Sequence, residues 1–182
     1  MNKVIIMCSQ MKLNEKDILY LKNNFNIHFD IPFQTIKPSE FALVLYKEKE
    51  IRSKLLRFGW NEKHLIINAR QETLLDKKLF KHAKRCLIPV STFYEWNPTK
   101  NKVSFYSDHI LYLAGLINNK NEFLIITTNA NDSVKKVHNR MPLIIEESDI
   151  ENWFDDHLFK DLLHKIAGSL MHDQKLEQLS LF

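Results

Sequence analysis

Between residues 86 and 128 five apolar segments follow one another with only short breaks: CLIPV (86–90), TFYEW (92–96), KVSFY (102–106), HILYLAGLI (109–117) and EFLIITT (122–128). They are rich in β-branched and aromatic residues, which suit a pleated, half-buried surface, so they read as the centre of a sheet. Further strands are predicted at residues 3–7, at FALVLYK (41–47) and over 51–60, the last two separated by a charged KEKE turn. Helices are predicted between them. Residues 14–24 carry Ile18, Leu19 and Leu21 behind a candidate N-cap, Asn14, and residues 76–85 form a second helical stretch. Ser148 and Glu151 make an S-x-x-E capping box for a helix opening at Asp149, and Leu158, Phe159, Leu162, Leu163, Ile166 and Ala167 line one face of another. Strands with interspersed short helices, without regular βαβ repeats, predict an α+β single domain. Its sheet should be curved, largely antiparallel and barrel-like, with short flanking helices.

Composition removes several function classes. No apolar run approaches the roughly 20 residues that span a bilayer, and MNKVIIM is too short for a signal peptide, so a cytoplasmic location is expected. Two cysteines, Cys8 and Cys86, with no CxxC pair and no HExxH helix, argue for free thiols and against a metal site; no cofactor is expected. Only three glycines occur, which excludes GxGxxG and P-loop phosphate cradles. A net charge of +4 and a pI near 8.9 fit a polyanionic partner, although many proteins without one share them.

Four segments place reactive side chains in or beside apolar strands: MCSQ (7–10), INARQET (67–73), FYEW (93–96) and VHNRMP (137–142). Cys8 follows an apolar run and reads most simply as a small hydrophobe in a buried strand; Cys86 has that reading alone. Glu95 alternates with Tyr94 and Trp96. Pointing inward it would be desolvated and suited to proton transfer; pointing outward it would be a surface carboxylate. Asn68 and Arg70 share one face of a strand, offering an amide and a guanidinium, or else a structural polar pair. His138 precedes an Asn-Arg-Met-Pro turn and is either a catalyst or a satisfied polar residue. Phe58 and Trp60 are either stacking surfaces for an unpaired base or core.

In order and together, these segments resemble the signature of the SOS response-associated peptidase family: Met-Cys-Gly-Arg, Asn-Ala-Arg-x-Glu-Thr, Phe-Tyr-Glu-Trp and His-x-Arg-Met-Pro. The resemblance runs from Met7 to Ile145 through RCLIPVSTFYEW (85–96), LAGLI (113–117) and FLIITTNAN (123–131). It implies capture of abasic sites in single-stranded DNA, with Cys8 as the catalytic cysteine and Asn68, Glu95 and His138 as its catalytic companions. Arg70 falls on a family arginine that contacts DNA phosphate, while Phe58 and Trp60 remain candidates either for stacking an unpaired base or for the core. In such a protein the cysteine is N-terminal, because its amine condenses with the sugar aldehyde and its thiolate closes a thiazolidine. Glu95 then shuttles protons, His138 serves as general acid in sugar-ring opening and in reversal, and Asn68 holds the amine or the sugar. Strand cleavage by β-elimination and exposure of the protein's own cysteine are further implied activities.

The resemblance divides the chain into an extension, residues 1–7, that is removed or untranslated, a domain over 8–171, and a tail over 172–182. Three departures stand out. Ser9-Gln10 replaces the family's Gly-Arg, Thr35 replaces an asparagine, and the stretch between Trp60 and Asn68 is short. The tail ends Gln178, Leu179, Ser180, Leu181, Phe182, which resembles the peptide by which bacterial proteins bind the replicative sliding clamp and implies an association with the nucleoid and the replication fork. Two alternatives remain: a cysteine-histidine hydrolase built on Cys8 and His138, and a catalytically decayed DNA or clamp adaptor.

Overall fold

The computed structural model describes residues 8–174; the strand expected over 3–7 and the pentapeptide 178–182 lie outside the described residues. A short strand β1 (Gln10–Lys12) leads into α1 (Glu15–Asn24), where Asn14 caps as expected, its side-chain oxygen accepting the Asp17 N–H at 2.8 Å. Strands β2 (Phe41–Lys47) and β3 (Ile51–Phe58) form the hairpin across the charged turn, and three short strands follow, β4 (Trp60–Asn61), β5 (Leu65–Ile66) and β6 (Asn68–Arg70). The five central segments merge into three long strands, β7 (Lys84–Trp96), β8 (Lys102–Ile117) and β9 (Glu122–Asn129). Then come α2 (Asp132–Lys135), β10 (Arg140–Pro142), β11 (Ile144–Ile145), α3 (Ile150–Phe154), α4 (Phe159–Leu162) and β12 (Met171–Gln174). That last strand, overlapping the start of the segment read as a tail, pairs with β8. No helix among the described residues is long and apolar enough to cross a membrane.

Three helical expectations need correction. Residues 76–85 form only a 3-10 turn at Lys78–Phe80, because Phe80 is drawn onto Trp60 and the chain from Lys84 onward joins β7 opposite Ile117. The capping box does not form. Ser148 lies inside a 3-10 turn, Glu151 instead bonds Lys47 at 2.5 Å, and Asp149 pairs with Lys165. The helix expected around Leu158–Ala167 contracts to α4, with Phe159, Leu162 and Leu163 buried and Ile166 left in solvent.

The sheet closes in a ring: β7 pairs with β2, β2 with β3, β3 with β9, β9 with β8 and β8 again with β7. All but one of these ring pairings are antiparallel; β3 and β9 run parallel, as do β6 and β9 outside the ring. Inside sits one cluster, including Val44, Phe58, Ile88, Phe93, Phe105, Leu113, Phe123 and Ile125. The outer face carries a second cluster, in which Leu45, Leu87, Tyr112, Leu124 and Ile126 are covered by Leu21 of α1 and Trp153 of α3. With both faces buried, the first half of β7 reads as a continuous apolar run, whereas its second half alternates.

The change of pattern occurs at Ser91. Up to Val90, even-numbered residues of β7 face the ring interior (Cys86, Ile88, Val90); beyond it Phe93 and Glu95 do. Between Val90 and Thr92 the register with β8 shifts, and the extra residue reverses the faces of everything after it. The hydroxyl of Ser91 accepts the Asn14 N–H at 2.8 Å and donates to Asp17 at 2.5 Å, so the bulge is fastened to the start of α1.

Ring closure also fixes one glycine. Gly115 pairs with Cys86 on one side and Ile125 on the other, and a Cβ there would lie 2.5 Å from Ile88 Cδ1 and 2.6 Å from the Leu124 carbonyl oxygen. The backbone oxygen cannot retreat without opening the ladder. Gly115→Ala should therefore destabilise the fold by ~1–3 kcal/mol through overpacking, read as a lower urea midpoint with an unchanged slope.

Candidate active site

The inward turn of β7 brings Glu95, 1% exposed, against the first described residue of the chain, Cys8, 0% exposed. β1 pairs with the end of β7, Gln10 opposite Tyr94, and this register carries Cys8 to Glu95. The Cys8 N–H donates to Glu95 Oε1 at 2.8 Å. The inward alternative for Glu95 is thus the one realised, and it rests on the Ser91 bulge, since unbroken alternation from Val90 would have turned the carboxylate outward.

Burial dominates the electrostatics of this pair. Desolvation pushes the Glu95 carboxyl up to about 8, with the Cys8 N–H pulling the other way. The Cys8 thiol is raised well above its usual value, first by burial and then by the Glu95 charge. In this setting the thiol, not the thiolate invoked from sequence, is the resting form. Cys8 also adopts φ +40, a left-handed backbone conformation that costs a non-glycine residue ~1–2 kcal/mol.

The other residues singled out from sequence are distributed around this pair. Asn68 lies on β6, which pairs in parallel with β9 opposite Ile125, a residue of the ring interior. Its Nδ2 is buried with no hydrogen-bond partner among the described residues. Arg70, two residues on, is exposed. His138 follows α2 and is half-buried; its Nδ1 accepts the Arg140 N–H at 3.1 Å, and burial holds its pKa below the ordinary value. Among the described residues no hydrogen bond joins His138 or Asn68 to Cys8, so Cys8 and Glu95 are the pair in direct contact.

Phe58 and Trp60 take the core alternative. Phe58 is stacked on Phe123 with ring centroids 5.1 Å apart, and Trp60 meets the edge of Phe80 at 5.7 Å. With exposures of 0% and 2%, neither presents a free face to a base. Cys86 is buried in the ring wall, as read. No three His, Cys, Asp or Glu side chains are grouped as a metal site would need among the described residues.

Sequence reasoning missed an ion pair that ties two of the four segments together. Arg140, 8% exposed, pairs through both terminal nitrogens with Glu72 and also donates to the Thr127 carbonyl at 2.7 Å and to Asn129 Oδ1 at 3.1 Å. The only signal was weak: Arg140 sits beside the apolar Met141-Pro142, whereas Glu72 lies between Gln71 and Thr73 with Arg70 nearby, so nothing in the sequence singled out this partner.

Comparisons with known proteins place this geometry in a family context. The sequence profile of the family described as SOS response associated peptidase (SRAP) matches residues 7–180. The abasic site processing protein YoqW of Bacillus subtilis is 31% identical over 150 residues, an alignment covering 68% of this chain and 67% of that protein. YoaM of the same organism, also described as an abasic site processing protein, is 30% identical and is covered over 66% of its length by 68% of this chain. Among solved structures, a phage-related protein of Bordetella bronchiseptica has a TM-score of 0.77 at 20% identity, over 94% of this chain and 95% of that one. A protein from Bacteroides thetaiotaomicron has a TM-score of 0.73 at 18% identity, over 92% and 91%. At these identities the structural likeness concerns the fold.

The Glu95 environment generates a direct expectation. In the full chain, a carboxyl 13C titration should find Glu95 ionising near 8. Because its proton is held more tightly in the folded state, stability should fall as pH rises from the ordinary carboxylate range through that value. Glu95→Gln should remove this slope, seen in urea unfolding at pH 5 and pH 9.

Proposed function

The chain belongs to the SOS response associated peptidase family, and from that premise we propose that it processes abasic sites in single-stranded DNA by bonding to them through Cys8. The observation that carries this reading is the buried hydrogen bond from the Cys8 nitrogen to Glu95, 2.8 Å long. A carboxyl whose proton affinity is raised toward neutrality, held against the atom that would become an α-amine, is suited to exchanging protons with that amine. Once residues 1–7 are absent, the nitrogen carries an ammonium in the resting state. That positive charge favours the carboxylate, so Glu95 can take the proton and leave a nucleophilic amine.

The chemistry then runs in two balanced steps. The amine adds to the C1′ aldehyde of the ring-opened sugar to give a carbinolamine, whose oxygen takes a proton from Glu95 and leaves as water while its nitrogen returns a proton to the Glu95 carboxylate, giving an imine. The Cys8 thiol adds through Sγ to the imine carbon, its proton passing by way of Glu95 to the nitrogen, and a five-membered thiazolidine closes. Overall one C–N and one C–S bond form and one water is lost. The raised thiol pKa favours this proton-coupled closure over attack by a standing thiolate. The sum needs both groups of one residue, which only an N-terminal cysteine provides. Removing the preceding residue also abolishes the strained φ torsion at Cys8, which exists only while a peptide bond precedes it.

Asn68 supports the reading with an unsatisfied buried amide donor, which costs ~1–3 kcal/mol unpaired and which a sugar or phosphate oxygen would satisfy. Arg70, exposed on the same strand, is the proposed phosphate contact. β-Elimination and self-exposure of Cys8 are further activities of the same amine and thiol. The cysteine-histidine dyad has less support, since Cys8 hydrogen-bonds Glu95 and His138 Nδ1 is occupied by a backbone N–H. The C-terminal pentapeptide 178–182 is proposed as a sliding-clamp ligand at the end of the tail, serving delivery and not chemistry.

Protein beginning at Cys8 should give a denaturation-resistant adduct with abasic single-stranded DNA, and Cys86→Ala should match it. Glu95→Ala should slow formation ~10²–10⁴-fold. An equally strong adduct from chain that retains Met1 and an internal Cys8 would overturn the mechanism. For the tail, chain ending at Glu177 should lose affinity for purified clamp in calorimetry while forming adduct at an unchanged rate; equal clamp binding by both forms would remove that assignment.

A further inference from the structure

We propose that Arg140 holds His138 as a fixed hydrogen-bond donor: its backbone N–H caps Nδ1, so the neutral ring carries its proton on Nε2 and offers that N–H outward. This rests on the abasic-site reading above, with the part in sugar-ring opening and reversal that the family resemblance implies for His138, and changes its character from proton carrier to neutral donor. The geometry is the Arg140 N–H to His138 Nδ1 bond, 3.1 Å long. An N–H facing Nδ1 needs a lone pair there. Protonating that nitrogen would set two donors against each other and break the bond, whereas a neutral ring protonated on Nε2 keeps it.

What makes the cap rigid is the rest of Arg140. β10 pairs with β9, Arg140 opposite Asn129, so the backbone of residue 140 is held in the ladder. The guanidinium is anchored by Glu72, by the Thr127 carbonyl at 2.7 Å and by Asn129 Oδ1 at 3.1 Å. On its N-terminal side the His138 backbone N–H donates to the Val134 carbonyl at 3.0 Å, closing α2. The ring is thus held from two sides of its own backbone while remaining half-exposed. Arg140 is the charged group acting on it, and its positive charge further opposes an imidazolium. A neutral imidazole aimed at a developing oxyanion is an established catalytic device, here available to the sugar oxygen that is released on ring opening and recaptured on reversal.

Arg140 is a positioning residue in this account, and its effect is spectroscopic before it is kinetic. In 15N-labelled, DNA-free protein beginning at Cys8, long-range 1H–15N correlation at pH 7.5 should show a pyridine-like Nδ1 and a pyrrole-like Nε2 for His138. A predominant Nδ1–H tautomer or an imidazolium would overturn the proposal without touching the adduct chemistry. Glu72→Gln, which loosens the Arg140 anchor, should give mixed tautomers; an unchanged spectrum would overturn the anchoring by the side chain. In crosslink reversal His138→Ala should be slower by ~10²-fold, while His138→Gln, whose amide can donate from near the Nε2 position, should stay within about tenfold of wild type. If Gln is as slow as Ala, His138 transfers a proton and the donor role is wrong; if both match wild type, the assignment of His138 to the reaction fails while the tautomer result stands.

Discussion

In β7, Val90 and Phe93 both point into the ring although three positions separate them, because Ser91 bulges from the ladder with β8 and its hydroxyl is fastened to Asn14 and Asp17. The site depends on that offset. It turns a carboxyl into an apolar interior, where the charged form is disfavoured, and the Cys8 N–H partly offsets the cost. It also leaves Tyr94 in register with Gln10, so that β1 pairs with β7 and delivers Cys8 to Glu95. Fold and proton affinity are two results of one inserted residue.

A second constraint works around β9. The Arg140–Glu72 pair bridges the turn after β6 to β10, and both β6 and β10 are hydrogen-bonded to β9. β9 therefore acts as a common rail on which the strand carrying Asn68 and the turn carrying His138 are mounted. Partly buried ion pairs contribute little net stability, but they choose one arrangement among several of similar energy. Here the arrangement chosen is the one in which the polar residues of two segments far apart in sequence share a frame.

Much of this was legible in the sequence. The crowded apolar segments fixed the α+β class and the antiparallel centre, the N-cap at Asn14 was correct, and the order of the four reactive segments matched the family whose profile covers residues 7–180. The failures were local signals overruled by packing: Phe80 drawn onto Trp60 unmade a helix, and Lys47 claimed Glu151 of the capping box while Lys165 paired with the neighbouring Asp149. The face of Glu95 could not be read, because period-2 reasoning assumes an unbroken ladder and gives no sign of a bulge at a serine, and the same reasoning misses the break at Gly59, at φ +101, that sends Phe58 and Trp60 into different clusters. The parallel pairings to β9 were equally invisible, since they depend on where the chain returns after closing the ring.

The concealment of Cys8 has a chemical consequence of its own. Oxidants and electrophiles attack the thiolate, and a sulfur that is both fully covered and held as the thiol offers them neither access nor charge. Oxidative conditions are also those in which DNA bases are damaged and lost. A thiol left ionised in the open would be consumed by the same peroxides, whereas one sheltered inside the ring is kept in its reduced form, an in-built shelf life for the folded chain.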